Sequence, residues 1–137
     1  MMYYFAYGSN LNQKQMRERC PDSQPKFMAT LPNYKLIFIG WSRQWRGGVA
    51  SLRSARGEKA FGAVYEISDR DLRRLDSDEG YPGSSNRLKV TVFNEDDEAI
   101  QAVTYIKAGQ AEKTPPSPQY LAIVQQGYKD WRIGGKS

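Results

Sequence analysis

A short strand that breaks abruptly into a helix limits the fold of this chain more than any other feature. Residues 2–6 are rich in aromatic side chains, as is typical of a β-strand, and Gly8-Ser9-Asn10 interrupts the pattern before the helix-favouring segment 11–19. Small residues at such a junction let several backbone N–H groups converge, and converging donors bind a carboxylate or an oxyanion. The junction therefore predicts an anion-binding loop. Capping of the helix by Ser9 or Asn10 is the simpler alternative.

An amphipathic helix is predicted downstream, and it ends at an acidic residue. Ser68 with Asp71 three residues later is a capping-box pattern, which marks a helix start. Gly80 and Pro82 then favour a helix end, so that Glu79 lies at the C-terminus of this helix. The helix dipole disfavours a negative charge there and is expected to raise the pKa of the Glu79 carboxyl.

Two further carboxylates, Asp76 and Asp78, crowd Glu79 and are expected to raise its pKa as well. With burial added, Glu79 would reach the range that is useful for proton transfer at neutral pH. A solvated acidic helix end is one alternative, and a metal ion held by these three carboxylates is another. We expect no metal site, because three carboxylates so close along one helix end more often face solvent.

The chain contains no histidine, which removes Ser-His and Cys-His catalysis, His-ligated zinc and imidazole acid–base chemistry. Any catalysis must then use carboxylates, hydroxyls, amides or tyrosines. The single cysteine, Cys20, excludes an internal disulfide, and without a histidine to activate it we expect it to be inert. Because no signal peptide and no apolar run of membrane-spanning length is recognisable, we expect a cytoplasmic protein without membrane contact.

The formal net charge of +5 is spread unevenly, since basic residues dominate positions 1–60 and acidic residues dominate 61–100. A basic half with interspersed aromatics is compatible with nucleic-acid binding. The arginines between positions 43 and 56, however, are scattered among tryptophans and glycines and do not form a basic helix. We therefore expect no nucleic-acid partner and interpret the basic surface as one that attracts small anionic substrates.

Six segments have the β-branched and aromatic enrichment of strands, and they fall at 2–6, 35–39, 48–52, 60–67, 88–93 and 100–106. Helical patterns fall at 11–19, 69–75 and 118–126. The last is the clearest, with Ser117 as N-cap and Pro118 at the first helical position. The pattern predicts one α+β domain over residues 1–137, with a curved or closed sheet.

Five short blocks, spread from residue 3 to about residue 128, are more specific together than any one alone. They are, in order, Phe5-Ala6-Tyr7-Gly8-Ser9-Asn10-Leu11, Trp45-x-Gly47-Gly48-Val49-Ala50, Gly62-x-Val64-Tyr65, Leu75-Asp76-x-x-Glu79-Gly80 and Pro115-Pro116-Ser117-Pro118-Gln119-Tyr120. With these blocks the chain resembles the gamma-glutamylcyclotransferase family. The resemblance implies a small mixed β-barrel with flanking helices, which is compatible with the α+β pattern.

The reaction implied by the resemblance is intramolecular and belongs to γ-glutamyl compounds such as those of glutathione metabolism. The α-amine of a γ-glutamyl group attacks its own γ-carbonyl, forming 5-oxoproline and releasing an amine or amino acid. Ring closure itself brings the nucleophile close, so a site without histidine, metal or cofactor is sufficient. The enzyme needs a base for the ammonium, donors for the oxyanion and an acid for the leaving nitrogen, and one carboxyl can serve as base and then as acid.

Carried over by position, the catalytic glutamate of the family falls on Glu79. The substrate-binding residues fall on the loop and on two downstream tyrosines, namely Tyr4, Phe5, Ala6, Tyr7, Gly8, Ser9, Asn10, Tyr105 and Tyr120. A purely structural role as core aromatics is the alternative for the last two. We expect Glu79 and the backbone at Gly8 and Ser9 to share one pocket despite their separation along the chain.

One departure from the family pattern concerns the leaving group. Some members carry a tyrosine seven residues after the glutamate, where this chain has Asn86, following the segment 82–85. We therefore expect a γ-glutamyl amine or small γ-glutamyl peptide as substrate and tolerance of varied amines, in a monomer or homodimer. Removal of a γ-glutamyl protecting group in a biosynthetic pathway and a non-catalytic small-molecule binding module are the alternatives.

Overall fold

Five β-strands close into a barrel in the computed structural model, which describes residues 2–109 and 112–134. The strands are β1 (Met2–Ala6), β2 (Gln24–Ser42), β3 (Gly47–Ile67), β4 (Ser85–Phe93) and β5 (Ala99–Lys107). Their order around the barrel is β1-β3-β2-β4-β5. The strand pairs are antiparallel except β1 with β5, which is parallel through Tyr4 and Val103, so the predicted small mixed barrel is confirmed.

Two strands are much longer than their sequence patterns predicted. β2 has 19 residues and β3 has 21, whereas only 35–39, 48–52 and 60–67 were expected to be strands. Prolines within a run argue against a strand, but Pro25 and Pro32 lie where the β2–β3 register shifts, at irregularities that tolerate proline. The expectation of separate short strands was therefore wrong because pairing continues across these irregularities.

Three α-helices cover the barrel: α1 (Gln13–Arg19), α2 (Asp69–Glu79) and α3 (Pro118–Asp130). The capping box of Ser68 and Asp71 is present, and Gly80 ends α2 in the left-handed conformation, as predicted. A 3₁₀ turn, Ser9–Leu11, precedes α1, whose N-cap is Asn12. The simpler alternative, in which Ser9 or Asn10 only caps the helix, is therefore wrong.

Alternate residues of β1 supply two hydrophobic cores, because successive side chains of a strand point to opposite faces. Tyr4 and Ala6 pack beneath the helices, in a cluster that includes Met16 of α1 and Leu75 of α2. Phe5, with no exposed surface, belongs to a cluster that fills the barrel and that is drawn, apart from Tyr7, from strand residues. Full burial of such a side chain stabilises the fold by roughly 1.5–3 kcal/mol, so β1 is fixed from both faces.

The cysteine lies in the core beneath the helices. Cys20 is fully buried, and burial raises the pKa of its thiol to about 12, so that it stays protonated at neutral pH. A protonated, inaccessible thiol is a poor nucleophile. Within the described part of the chain, no helix has both the length and the apolar composition that crossing a bilayer requires.

Candidate active site

A cavity of about 400 Å³ lies where five parts of the fold meet. The loop after β1 forms one wall, and the end of α2 contributes Glu79. The end of β5 contributes Lys107, and the β2–β3 hairpin forms the remaining rim together with Tyr120 of α3. Segments from both halves of the chain therefore converge on one cavity.

Most of the residues predicted from sequence lie in this cavity. Glu79 shares it with Tyr4, Tyr7, Gly8, Ser9, Asn10, Tyr105 and Tyr120. Phe5 and Ala6, which were also predicted to contact substrate, do not line it. Both have no exposed surface: Phe5 packs in the core inside the barrel, on the face of β1 opposite Tyr4, and Ala6 packs in the core beneath the helices, on the same face as Tyr4.

The loop wall depends on a close contact at Gly8. A Cβ atom at this position would lie 2.8 Å from the Ala50 Cβ, too close for any side chain. The φ angle of Gly8 is −114°, so the glycine is required by close packing and not by a positive φ. The first N–H groups of a helical turn have no partner within the turn, which leaves those of Ser9 and Asn10 available to a ligand.

Side chains of α1 hold the loop from behind. The Gln15 side-chain amide donates to the Ser9 Oγ at 2.8 Å and to the Asn10 Oδ1 at 3.1 Å, and the Arg19 guanidinium donates to the same Asn10 Oδ1 at 3.2 Å. The Tyr65 hydroxyl donates to the Asn10 carbonyl oxygen at 2.8 Å. Four hydrogen bonds therefore fix the orientation of the loop before any ligand arrives.

Glu79 carries the carboxyl of the cavity. Its pKa is raised above the ordinary value of 4.5, mainly because burial disfavours the charged form, and the neighbouring Asp78 adds to the rise. Lys107 and Arg19 act in the opposite direction. The carboxyl is thus drawn toward the range of a general acid–base, while two cations keep the charged form accessible.

Asp76 does not crowd Glu79 as the sequence suggested. Its carboxylate accepts a hydrogen bond from the Arg87 guanidinium at 2.6 Å and another from the Tyr105 hydroxyl at 2.5 Å. The Arg87 guanidinium in turn lies 4.6 Å from the centre of the Tyr81 ring. The predicted effect of Asp76 on Glu79 is therefore corrected: a partner on β4 neutralises Asp76, and its carboxylate positions a cavity tyrosine.

The cavity tyrosines differ in what their hydroxyls bind. Tyr7 donates to the Tyr105 carbonyl oxygen, and Tyr105 donates to Asp76. Tyr4 accepts from the Asn10 side-chain amide at 3.1 Å, and Tyr120 accepts from the Ala50 N–H at 3.0 Å. Burial raises the pKa of all four hydroxyls, so they stay protonated at neutral pH.

Two sequence motifs meet to position Tyr120. The Gly48 N–H donates to the Pro115 carbonyl oxygen at 3.0 Å, which ties the start of β3 to the segment before α3. A Cβ at Gly48 would lie 2.0 Å from the Thr114 carbonyl oxygen. Ser117 caps α3 by accepting from the Tyr120 N–H at 3.2 Å. Gly47 and Gly48 therefore allow the proline-rich segment before α3 to pack against β3. This packing places Tyr120 in the cavity.

The leaving-group residues predicted from sequence lie mostly outside the cavity. Asn86 is exposed and pairs with Ile106 in the sheet, and of the segment 82–85 only Ser84 lines the cavity. The β2–β3 hairpin lies there instead, and its Trp41 is 67% exposed. Asn86 therefore does not line the cavity, because its pairing in the β4–β5 ladder leaves it exposed on the surface.

Sequence reasoning missed two cations and the hairpin tryptophans. Lys107 lies two residues after Tyr105 on β5, and this spacing places both on one face of the strand. Arg19 lies four residues after Gln15 on one face of α1. These two spacings could have indicated the cations from the sequence. No sequence pattern indicated that the β2–β3 hairpin lies at the cavity. In the ranges 2–109 and 112–134, no three acidic or thiol side chains lie close enough to hold a metal ion.

Comparison with known proteins gives consistent matches over nearly the whole chain. The family model described as gamma-glutamyl cyclotransferase, AIG2-like, matches residues 4–132. The human protein named gamma-glutamylcyclotransferase is 33% identical over 132 residues, which cover 93% of this chain and 70% of the human one. The mouse protein of the same name is 30% identical with the same coverage. A solved structure named gamma-glutamyl cyclotransferase superimposes with a TM-score of 0.92 at 30% identity, covering 97% of this chain and 81% of that chain.

Proposed function

The chain belongs to the gamma-glutamyl cyclotransferase, AIG2-like family, and on that premise we propose that it cyclises a γ-glutamyl amine or small γ-glutamyl peptide to 5-oxoproline. The observation that carries the proposal is the position of Glu79, whose carboxyl has a raised pKa in the cavity lined by Gly8, Ser9 and Asn10. A proton-transfer group and an anion-binding loop in one cavity are the two parts that this reaction needs.

In the proposed mechanism the loop binds the substrate and Glu79 moves the protons. The free N–H groups of Ser9 and Asn10 hold the α-carboxylate of the γ-glutamyl group, with Arg19 adding positive charge at the same end. The Glu79 carboxylate takes a proton from the α-ammonium, and the freed lone pair attacks the γ-carbonyl carbon. Holding the chain of the substrate in a folded shape favours this five-membered ring closure.

The collapse of the intermediate returns the proton. The new C–N bond moves the carbonyl π pair onto oxygen, and when this pair returns, the bond to the leaving nitrogen breaks. The Glu79 carboxyl gives its proton to that nitrogen, and the excess proton of the ring nitrogen passes to the departing amine. The products are 5-oxoproline and the amine as its ammonium form, so protons and electrons balance without an external reactant.

The decisive experiment measures 5-oxoproline released from a panel of γ-glutamyl compounds. We expect Glu79→Gln to keep ligand binding, measured by calorimetry, and to lose about two to four orders of magnitude in kcat. Asp78→Asn is the matched control, since it removes a neighbouring carboxylate of the same helix end, and should lose less than about tenfold. Near wild-type turnover by Glu79→Gln would overturn the assignment, and binding without turnover by the wild type would indicate a binding module.

A second arm of the same assay tests the loop. A γ-glutamyl substrate whose α-carboxylate is blocked as a methyl ester should lose the contacts to Ser9 and Asn10 and bind much more weakly. Equal kcat/KM for ester and free acid would contradict the proposed binding mode.

We further propose that the protein binds a small molecule only and is a monomer or homodimer. We also propose that it works in a reducing compartment such as the cytoplasm, in which the Cys20 thiol stays reduced.

A further inference from the structure

The hydroxyl protons of the cavity tyrosines are not equally available to a substrate. The Tyr7 proton is used by the Tyr105 carbonyl oxygen, and the Tyr105 proton is used by the Asp76 carboxylate. Tyr4 and Tyr120 instead accept hydrogen bonds from N–H donors. A hydroxyl that accepts from an N–H still has its own proton to donate. Only two of these four hydroxyls therefore have a proton to offer inside the cavity.

The orientation of the Asn10 amide decides the direction of the Tyr4 hydrogen bond. A guanidinium only donates, so the Asn10 atom that lies 3.2 Å from the Arg19 Nη1 must be the oxygen Oδ1. The nitrogen Nδ2 then faces the Tyr4 hydroxyl at 3.1 Å and must donate to it. Arg19 therefore determines, through Asn10, that the Tyr4 oxygen is an acceptor and that its proton points elsewhere.

The remaining direction for the Tyr4 proton is the cavity. Tyr4 is only 5% exposed and Asn10 only 4% exposed, so bulk water is a poor alternative partner. Among the described residues, the contact with Asn10 is the only hydrogen bond in which the Tyr4 hydroxyl takes part. A buried donor without an acceptor is destabilising, and a bound ligand with an acceptor oxygen removes that cost.

We propose that the Tyr4 hydroxyl donates to the oxyanion that forms on the γ-carbonyl oxygen, and that Arg19 and Asn10 are positioning residues for that donor. This inference rests on the proposed cyclotransferase function. Tyr4 and Glu79 line the same cavity. The proposed mechanism requires this, because the oxyanion and the nitrogens that exchange protons with Glu79 are bonded to the same carbon. The Tyr120 hydroxyl accepts a hydrogen bond from Ala50, which lies beside Gly8 of the loop. This position favours contact with the bound substrate by Tyr120, and leaves the oxyanion to Tyr4.

The contribution of Tyr4 is a hydrogen bond and not a proton transfer. As the α-amine nitrogen bonds to the γ-carbonyl carbon, the carbonyl π pair moves to the oxygen, and the Tyr4 O–H strengthens its bond to that charge. The proton stays on Tyr4, because burial holds the pKa of its hydroxyl well above the usual range. A donor aimed at developing charge lowers the barrier more than it strengthens substrate binding.

The first test is the Tyr4→Phe variant. Removal of one oxyanion donor should lower kcat by roughly 10²–10³-fold and leave KM within about threefold. Tyr3→Phe is the matched control on the same strand, since the Tyr3 ring packs against Phe27, away from the cavity, and its activity should equal that of the wild type. A rise in KM without loss of kcat would overturn the inference, because Tyr4 would then bind the ground state.

The second test reverses the Asn10 amide. In Asn10→Asp a carboxylate oxygen replaces the nitrogen that faces Tyr4, so the hydroxyl must donate to it and its proton leaves the cavity. We expect a kcat loss similar to that of Tyr4→Phe, and little further loss when Asn10→Asp is added to Tyr4→Phe. If the kcat loss of the double variant equals the product of the two single losses, the two residues act independently, and this result would contradict the positioning role of Asn10. If the double variant does not fold, the kcat and KM of Tyr4→Phe decide.

The added charge of Asn10→Asp also acts on Glu79, so both variants are compared on the pH plateau of their own kcat profiles. Failure of this inference differs from failure of the proposed function. A wild-type protein that releases 5-oxoproline from no γ-glutamyl compound refutes the function. A wild-type protein that is active while Tyr4→Phe is equally active refutes the Tyr4 assignment alone.

Discussion

Gly48→Ala is expected to damage both the stability and the activity of the protein. The new Cβ would lie 2.0 Å from the Thr114 carbonyl oxygen. A carbon and an oxygen in contact are separated by about 3.3 Å or more. The segment before α3 would have to move by roughly 1.3 Å relative to β3, and it is backbone that must move, not the end of a flexible side chain.

The expected magnitude follows from the bonds that this displacement strains. The Gly48–Pro115, Thr114–Phe38 and Gly40–Glu112 backbone hydrogen bonds, each 3.0 Å long, tie the segment to β2 and β3. Overpacking costs about 1–3 kcal/mol, and the loss of one of these three hydrogen bonds adds about 0.5–1.5 kcal/mol. We expect the free energy of unfolding to fall by about 2–4 kcal/mol, which lowers Tm by roughly 6–15 °C for a chain of this size.

Activity should fall as well, because the displaced segment carries Ser117 and with it Tyr120. If Tyr120 contacts substrate as we propose, a shift of about 1 Å in its position should cost up to about a hundredfold in kcat/KM. Thermal melts followed by circular dichroism give the stability, and 5-oxoproline release well below the Tm gives the activity. Gly83→Ala is the control, since its nearest contact would be ordinary at 3.4 Å. Gly48→Ala with a Tm within 2 °C of the wild type and full activity would refute the packing argument.

Two further predictions concern Glu79 and the hairpin. Because the pKa of Glu79 is raised in the folded state, ionisation of this carboxyl destabilises the fold as pH rises from 4.5 through the raised pKa. The Tm of Glu79→Gln relative to that of the wild type should therefore increase with pH over this range. Below pH 4.5 the Tm difference should not change with pH. A Tm difference that is constant across pH would contradict the shift. Trp41, the exposed indole of the cavity rim, should contribute to leaving-group binding. Trp41→Ala should therefore raise KM several-fold for γ-glutamyl compounds with aromatic and aliphatic amines as leaving groups. Asn86→Ala should leave KM unchanged. A larger effect of Asn86→Ala than of Trp41→Ala would instead place leaving-group recognition in the segment after α2.

Local sequence patterns determined a large part of this protein. The strand before Gly8, the capping box at Ser68, the end of α2 at Gly80 and the start of α3 at Pro118 all depend on residues within one turn of each other. Such signals are complete in the sequence, because the atoms that make each bond are neighbours along the chain. The placement of Glu79 at a helix end follows from them directly.

Tertiary structure decided which of the predicted groups have a partner and which are free. Asp76 and Glu79 lie three residues apart on one helix, yet Asp76 pairs with Arg87 and Tyr105 while Glu79 faces the cavity. Tyr4 and Tyr7 belong to one motif, yet one hydroxyl accepts and the other donates. The reason is physical: the pKa of a carboxyl and the direction of a hydroxyl proton depend on burial and on partners from distant segments, and no local pattern specifies those partners.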